Sequence, residues 1–287
     1  MKIPKNIRLW YMLPGYCVIL FVFVYPIIML FRYSFFNKID GNLIFMGLKN
    51  FSKLFADPIF YTSLKNNFLF LLIVPILLGI SIVISFKLYE GFFGWKIYRA
   101  VIFFPYILAI AVVGVIFVYL FSGNGPINSF LINKAIISKP IEFFASAKIA
   151  KWVLMGVIIW KEVGFGIILF LARLLSVDEQ LFEAAELDGA NWLQKVRHIA
   201  IPQLSTVIEF YTIFSTITVF SWVFTYVYST TNGGPNNSTY VMEFYIYKIA
   251  FRYNIPEVAS SASLILLVLV SLIIYIQFRV RRKIEVE

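Results

Sequence analysis

Long apolar stretches separated by short charged ones set the pattern of this chain. Leu9–Phe31 runs 23 residues without a charged side chain, about 34 Å as an α-helix and long enough to cross a bilayer. Similar stretches recur at Asn66–Phe86, Ala100–Phe121, Trp152–Ala172, Thr206–Tyr228 and Val258–Phe278. The second is bounded by Lys65 and Lys87 and the sixth by Glu257 and Arg279, whereas Lys161 and Glu162 interrupt the fourth and Glu209 lies near the start of the fifth. The pattern predicts an all-α fold, a polytopic membrane protein with six transmembrane helices. Residues 1–287 are then one integral membrane domain, with a first helix at 9–31 and a five-helix core at about 64–278. Every loop is shorter than about 35 residues, too small to bury a core of its own.

Composition agrees. The chain is 61% hydrophobic and 14% charged, against about 25% charged in a soluble domain. Its net charge of +10 is not one patch: Lys2, Lys5 and Arg8 precede the first span, and Arg279, Arg281, Arg282 and Lys283 follow the last. Flanking cations of this kind anchor helices at headgroups and do not form a nucleic-acid face. The first apolar run is too long for a signal peptide and lacks a small-residue cleavage site, so it reads as a retained span. The single cysteine, Cys17, and single histidine, His198, leave no internal disulfide and no metal cluster to expect. Six spans place both termini on one side, and the basic cluster after the last favours the cytoplasm.

The most informative polar segment is 176–202. Ser176 with Glu179 is spaced as a capping box, Asp178 and Glu179 suit the positive end of a helix, and Gly189 permits the left-handed turn that ends one. A second short helix follows from about Asn191, and Pro202 ends it or leads into the fifth span. The expectation is a helix–turn–helix with Ala184, Ala185 and Ala190 around the bend. Leu181, Phe182, Leu187, Trp192 and Val196 are expected to stay partly exposed, and a loop this apolar docks against something.

Glu183-Ala184-Ala185, Asp188-Gly189-Ala190 and Ile199-Ala200-Ile201-Pro202 closely resemble the EAA loop in permease subunits of binding-protein-dependent ABC importers, in their carbohydrate branch. Ile201 stands where that family usually has leucine. Arg99 with Phe103-Phe104-Pro105, Gly125-Pro126-Ile127-Asn128, Thr231-Asn232-Gly233-Gly234-Pro235 with Ser238-Thr239, and Tyr247 through Ala250-Phe251 look like further landmarks of sugar permeases. Their order resembles the first of two permease subunits. Phe224-Thr225 replaces a frequent Phe-Asp, so an acidic contact of many relatives is absent here. The resemblance implies that 176–202 is a cytoplasmic coupling loop seated in an ATPase subunit through Glu183, Ala184, Ala185, Asp188, Gly189, Ala190, Ile199 and Pro202. It also implies a bacterial plasma-membrane location and an assembly with a second homologous permease, two ATPase subunits and an extracytoplasmic solute-binding protein.

Two features bear on solute passage. Charged groups within spans mark function by default, yet Lys161 and Glu162, adjacent and about 100° apart on a helix, share a face poorly. Each is expected to find a partner on another helix, or one to snorkel to the interface. On the fifth span, Tyr211, Ser215, Thr218, Trp222 and Thr225 recur at spacings of four and three, which places them on one face. Aromatic rings with hydroxyls suit a sugar. The same hydroxyls also serve helices by bonding back to their own backbone.

The chain has no Gly-x-x-x-x-Gly-Lys-Ser/Thr loop, so ATP and Mg²⁺ are expected on partner subunits and no cofactor on this one. An integral membrane enzyme would need a constellation such as His-Glu-x-x-His or Gly-x-Ser-x-Gly, and neither occurs. An ion-coupled secondary transporter would need a repeat or broken helices, and the sequence shows neither. The favoured expectation is a permease moving a sugar or sugar-like solute; glycerol phosphate, a disaccharide and an oligosaccharide all remain open.

Overall fold

The computed structural model describes the backbone of residues 5–284 and the side chains of 11–280. Lys2 lies outside the described residues, and the side chains of Lys5, Arg8, Arg281, Arg282 and Lys283 lie outside the described side chains. The chain is mostly helical. Helix α1 (Lys5–Ile19) continues through a π-helical turn, Leu20–Val24, into α2 (Tyr25–Phe35); a hairpin, β1 (Phe36–Ile39) and β2 (Asn42–Phe45), follows. Next come α3 (Lys49–Phe55), α4 (Pro58–Phe70), α5 (Ile73–Glu90), α6 (Trp95–Ile107), α7 (Ile110–Leu120) and α8 (Pro126–Asn133). Then follow α9 (Ala150–Leu174), α10 (Gln180–Leu187), α11 (Trp192–Lys195), α12 (Ile201–Thr230), α13 (Met242–Tyr247) and α14 (Pro256–Ile284).

Among the described residues, five helical stretches are long and apolar enough to cross a membrane: 11–35, 58–90, 150–174, 192–230 and 256–280. Helices α6 and α7 pass the same test only as a pair bent by 99°, which makes them one broken span or a re-entrant loop. This corrects the expectation of one unbroken helix over Ala100–Phe121. Pro105 lies in the last turn of α6, and Leu108 and Ala109 are extended, with ψ of 140° and 135°. Proline withdraws one backbone donor, and the extended pair stops the helical ladder. Pro75 likewise cannot donate to the Leu71 carbonyl, and the second span has a turn at Leu71–Leu72 where α4 gives way to α5.

The hairpin departs from the all-helical expectation. Asp40 and Gly41 both have positive φ, 49° and 82°, the requirement of the two-residue turn that suits strand twist. Phe36 faces Phe45 across the ladder, with ring centroids 5.2 Å apart.

The chain forms two compact units. One comprises the chain up to Tyr61 with Tyr245–Ser271, the other Thr62–Phe244 with the chain from Leu272. In the first, the buried Ser34 carbonyl accepts from Asn50 at 3.2 Å and from Ser261 at 3.3 Å, and Tyr245 donates to Asp57 at 2.8 Å. In the second, α9 is central, packed on α5, α6 and α12. Its apolar window is 56% buried, against 0% for Tyr11–Phe35, so α9 faces protein while the first span presents its apolar side chains outward. Close approach in the second unit relies on small residues. A Cβ on Gly164 would lie 2.6 Å from the Ile102 carbonyl oxygen.

Candidate functional site

The loop 176–202 folds as two short helices around a left-handed glycine. Gly189 has φ +76°, and the amides of Gly189 and Ala190 return to the carbonyls of Glu186 and Ala185 at 3.0 and 2.9 Å, closing α10 as Schellman geometry does. The capping box, however, is not at Ser176 and Glu179. The Ser176 hydroxyl donates to the Arg173 carbonyl at 2.7 Å, and Asp178 accepts from Gln180 N–H at 3.1 Å. The reciprocal box is Asn191 with Gln194, at the start of α11. From there the helix runs on through a π turn, Val196–Ala200, into α12, and Pro202, just past that turn, withdraws one backbone donor from the continuous helix.

The inner face of this helix pair rests on the last turns of α5. Phe182 packs on Phe86 and Tyr89 with centroids 5.8 and 5.0 Å apart. Trp192 meets Phe86 at 5.7 Å and donates its indole N–H to Glu90 at 3.1 Å. Lys195 lies 3.6 Å from Glu90 and 2.7 Å from Glu186. The expectation that Phe182 and Val196 stay exposed is therefore corrected: both are buried, because α5 supplies their apolar contact. Leu187 is 90% exposed and Leu181 is also exposed. Glu183, Ala184, Asp188, Gly189 and Pro202 are exposed, while Ala185, Ala190 and Ile199 are half-buried.

A second constellation gathers at the break between α6 and α7. Lys161 and Glu162 are 3% and 4% exposed, and they do meet, at 3.3 Å, despite their adjacent positions. Each also has a partner from another helix. The Lys161 ammonium donates to the Tyr106 carbonyl at 3.2 Å and sits 5.1 Å from its ring; the Tyr226 hydroxyl donates to Glu162 at 2.6 Å. Neither side chain snorkels. A buried ion pair is tolerated only with such added hydrogen bonds.

The predicted stripe on α12 divides. Tyr211 and Ser215 are buried, and with Thr218, Glu162 and Tyr226 they border a gap of only about 10 Å³, the lower limit for one water. The Thr218 hydroxyl donates to its own helix, to the Phe214 carbonyl at 2.9 Å. Trp222 and Thr225 instead line an open groove of about 390 Å³ with Tyr106, Leu108, Ala109, Ile110 and Lys161. Irregular backbone at membrane depth persists where it is buried in protein or lines a wet cavity, and the extended pair Leu108–Ala109 borders this groove.

Two landmark motifs have local explanations. The Asn128 side chain donates to the Ser122 and Ile141 carbonyls at 2.9 and 3.0 Å and accepts from Ile141 N–H at 2.8 Å. Gly233, with φ +84°, leaves no room for a Cβ beside Tyr240 and Phe244. Sequence reasoning missed what holds the following segment. Asn66 donates to the carbonyls of Ser238 and Tyr240, both at 2.8 Å. Asn67 accepts from Met242 N–H at 2.6 Å and donates to Glu243 at 3.2 Å. Two adjacent amides at the start of an apolar run are the available signal, because such groups in a span need partners.

Comparison with known proteins adds to this geometry. A family model described as "binding-protein-dependent transport system inner membrane component" matches residues 75–286. The chain is 31% identical over 281 residues to the lactose transport system permease protein LacF of Rhizobium radiobacter, covering 94% of this chain and 92% of that one. It is 27% identical to the arabinooligosaccharides transport system permease protein AraP of Bacillus subtilis, covering 90% and 82%. Its fold is similar to a chain in the crystal structure of a bacterial alginate ABC transporter in complex with an alginate pentasaccharide-bound periplasmic protein, with TM-score 0.85, 22% identity and coverage of 98% and 96%.

Proposed function

The chain belongs to the binding-protein-dependent transport system inner membrane component family, and from that premise we propose how its two constellations divide the work of import. It is the multi-pass permease subunit of a sugar ABC importer, not an enzyme. The helix pair at 180–195 faces the cytosol, as do both termini, and receives mechanical work from the ATPases. One observation carries this reading: α10 is anchored through Phe182 while Glu183, Ala184, Leu187, Asp188 and Gly189 stay on its outward side. A rigid, apolar and acidic projection of this kind suits a cleft in a partner. Ala185, Ala190, Ile199 and Pro202 shape the turn and the exit into α12.

The working assembly contains this chain, a second homologous permease, two ATPase subunits that bind ATP and Mg²⁺, and an extracytoplasmic solute-binding protein. The solute is a carbohydrate, a reading supported by relatives named for lactose and arabinooligosaccharides. It meets Trp222, Thr225 and the groove beside Lys161, where a ring covers a sugar's C–H face and hydroxyls replace water. Tyr211, Ser215 and Thr218 line a continuation that opens when the two permeases rock against each other.

Co-purification tests the coupling role. Glu183→Ala and Gly189→Val should reach the membrane at normal levels yet lose the ATPase subunits and uptake together. An ATPase that stays bound with undiminished uptake would sink the assignment, as would labelling of Ala184→Cys, in a Cys17→Ser background, only by reagent added outside.

A further inference from the structure

Helix α3 is amphipathic in three sectors. Leu48, Phe51, Ser52, Phe55 and Ala56 fall at i, i+3, i+4, i+7 and i+8 and line an open groove of about 560 Å³. Asn50 and Leu54, on the opposite side, are fully buried, with the Asn50 amide donating to the Ser34 carbonyl and to Asn37 Oδ1 at 2.8 Å. At about 100° per residue, Lys49 and Lys53 fall on the flank between these sectors. Both are exposed, and neither takes part in an ion pair among the described residues. Between residues 32 and 57 the chain carries Arg32, Lys38, Lys49 and Lys53 against two carboxylates, Asp40 and Asp57, the second of which accepts from Tyr245 and from Ile59 N–H.

The position of α3 in the chain identifies what covers this face. The helix of the first candidate span ends at Phe35 and that of the next begins at Pro58, so the hairpin and α3 join two spans on one side of the bilayer. The first span presents Phe21, Phe23 and Phe31 outward, and Phe45, Leu48 and Phe55 in the segment that follows it are exposed as well. We propose that the α3 groove is a binding site for an anionic phospholipid, its acyl region against Leu48, Phe51 and Phe55 and its phosphate held by Lys49 and Lys53. An apolar face beside flanking lysines is the arrangement by which helices lie in a membrane interface. The site is independent of the coupling loop and the solute groove.

The test uses the full chain in its assembled transporter. In a Cys17→Ser background, Leu48→Cys carries a bimane fluorophore, and vesicles contain brominated phosphatidylglycerol or brominated phosphatidylcholine as quencher. Phosphatidylglycerol should quench preferentially. Lys49→Gln and Lys53→Gln should each remove roughly fivefold of that preference, the general worth of a basic side chain near an anionic surface. Lys96→Gln, also exposed but remote in sequence, should leave it intact and controls for net charge. Equal quenching by both lipids in the parent protein would overturn the anionic site. Absence of quenching by either, as a protein neighbour on the groove would produce, would overturn the lipid assignment altogether.

Discussion

The Lys161 ammonium donates to the Tyr106 backbone carbonyl at 3.2 Å, so a side chain from α9 caps the last turn of α6, where the helix breaks before α7. The final carbonyls of a helix have no intrahelical partner, and a cation suits that negative end. Lys161→Met removes the cap and strands the Glu162 carboxylate among apolar neighbours. Breaking a buried pair from one side costs about 3–5 kcal/mol. Lys161→Met/Glu162→Gln removes both charges and should cost less. Thermal unfolding in detergent ranks the three proteins, and a single variant as stable as the parent would refute the capping role.

Glu243, in α13 between the fifth and sixth spans, gives a pH dependence of defined sign. Burial pushes its carboxyl up to about 7, against the opposing donation from Asn67. Near pH 4 and below, folded and unfolded forms are both protonated. As pH rises from 4.5 toward 7, the unfolded chain releases this proton while the folded chain holds it, so stability falls across that window and levels above it. The loss is at most about 3 kcal/mol, since Glu243 keeps part of its surface. Glu243→Gln should flatten this part of the profile, measured as unfolding temperature against pH.

Gly164 decides how closely α6 approaches α9. Gly164→Val forces side-chain atoms against the Ile102 carbonyl, where even a Cβ would stand at 2.6 Å. Overpacking of this kind costs about 1–3 kcal/mol. A Cβ on Gly156, in the same helix, meets nothing within 4 Å, so Gly156→Ala should be nearly neutral. Comparable loss at both positions would refute the close-approach account, because helix propensity favours Ala and Val over Gly at either site.

Trp222 and Thr218 separate the two parts of the α12 stripe. Trp222→Ala removes a ring from the open groove and should weaken uptake affinity about fivefold, from an aromatic contact of about 1 kcal/mol. Thr218→Val should matter less, because that hydroxyl already bonds to Phe214. Uptake at a series of solute concentrations measures both. Unchanged affinity in both variants would remove α12 from the solute path.

Six apolar runs were readable from the sequence because lipid offers backbone groups no hydrogen-bond partner, so each crossing must be a helix that satisfies itself. The helix–turn–helix was readable for a similar reason: Gly189, Asn191 and the alanines act within a few residues of themselves. The hairpin signal, Asp40-Gly41, is equally local but only two residues long, weak beside the long apolar runs. Tertiary structure alone decided the rest. Phe182 and Val196 are buried because α5 reaches them, and Lys161 and Glu162 pair because Tyr106 and Tyr226 hold them in place. Asn66 and Asn67 grip carbonyls, an amide and a carboxylate 172 to 176 residues away. Such contacts leave no period in the chain, because a hydrogen bond depends on distance in space and is indifferent to separation in sequence.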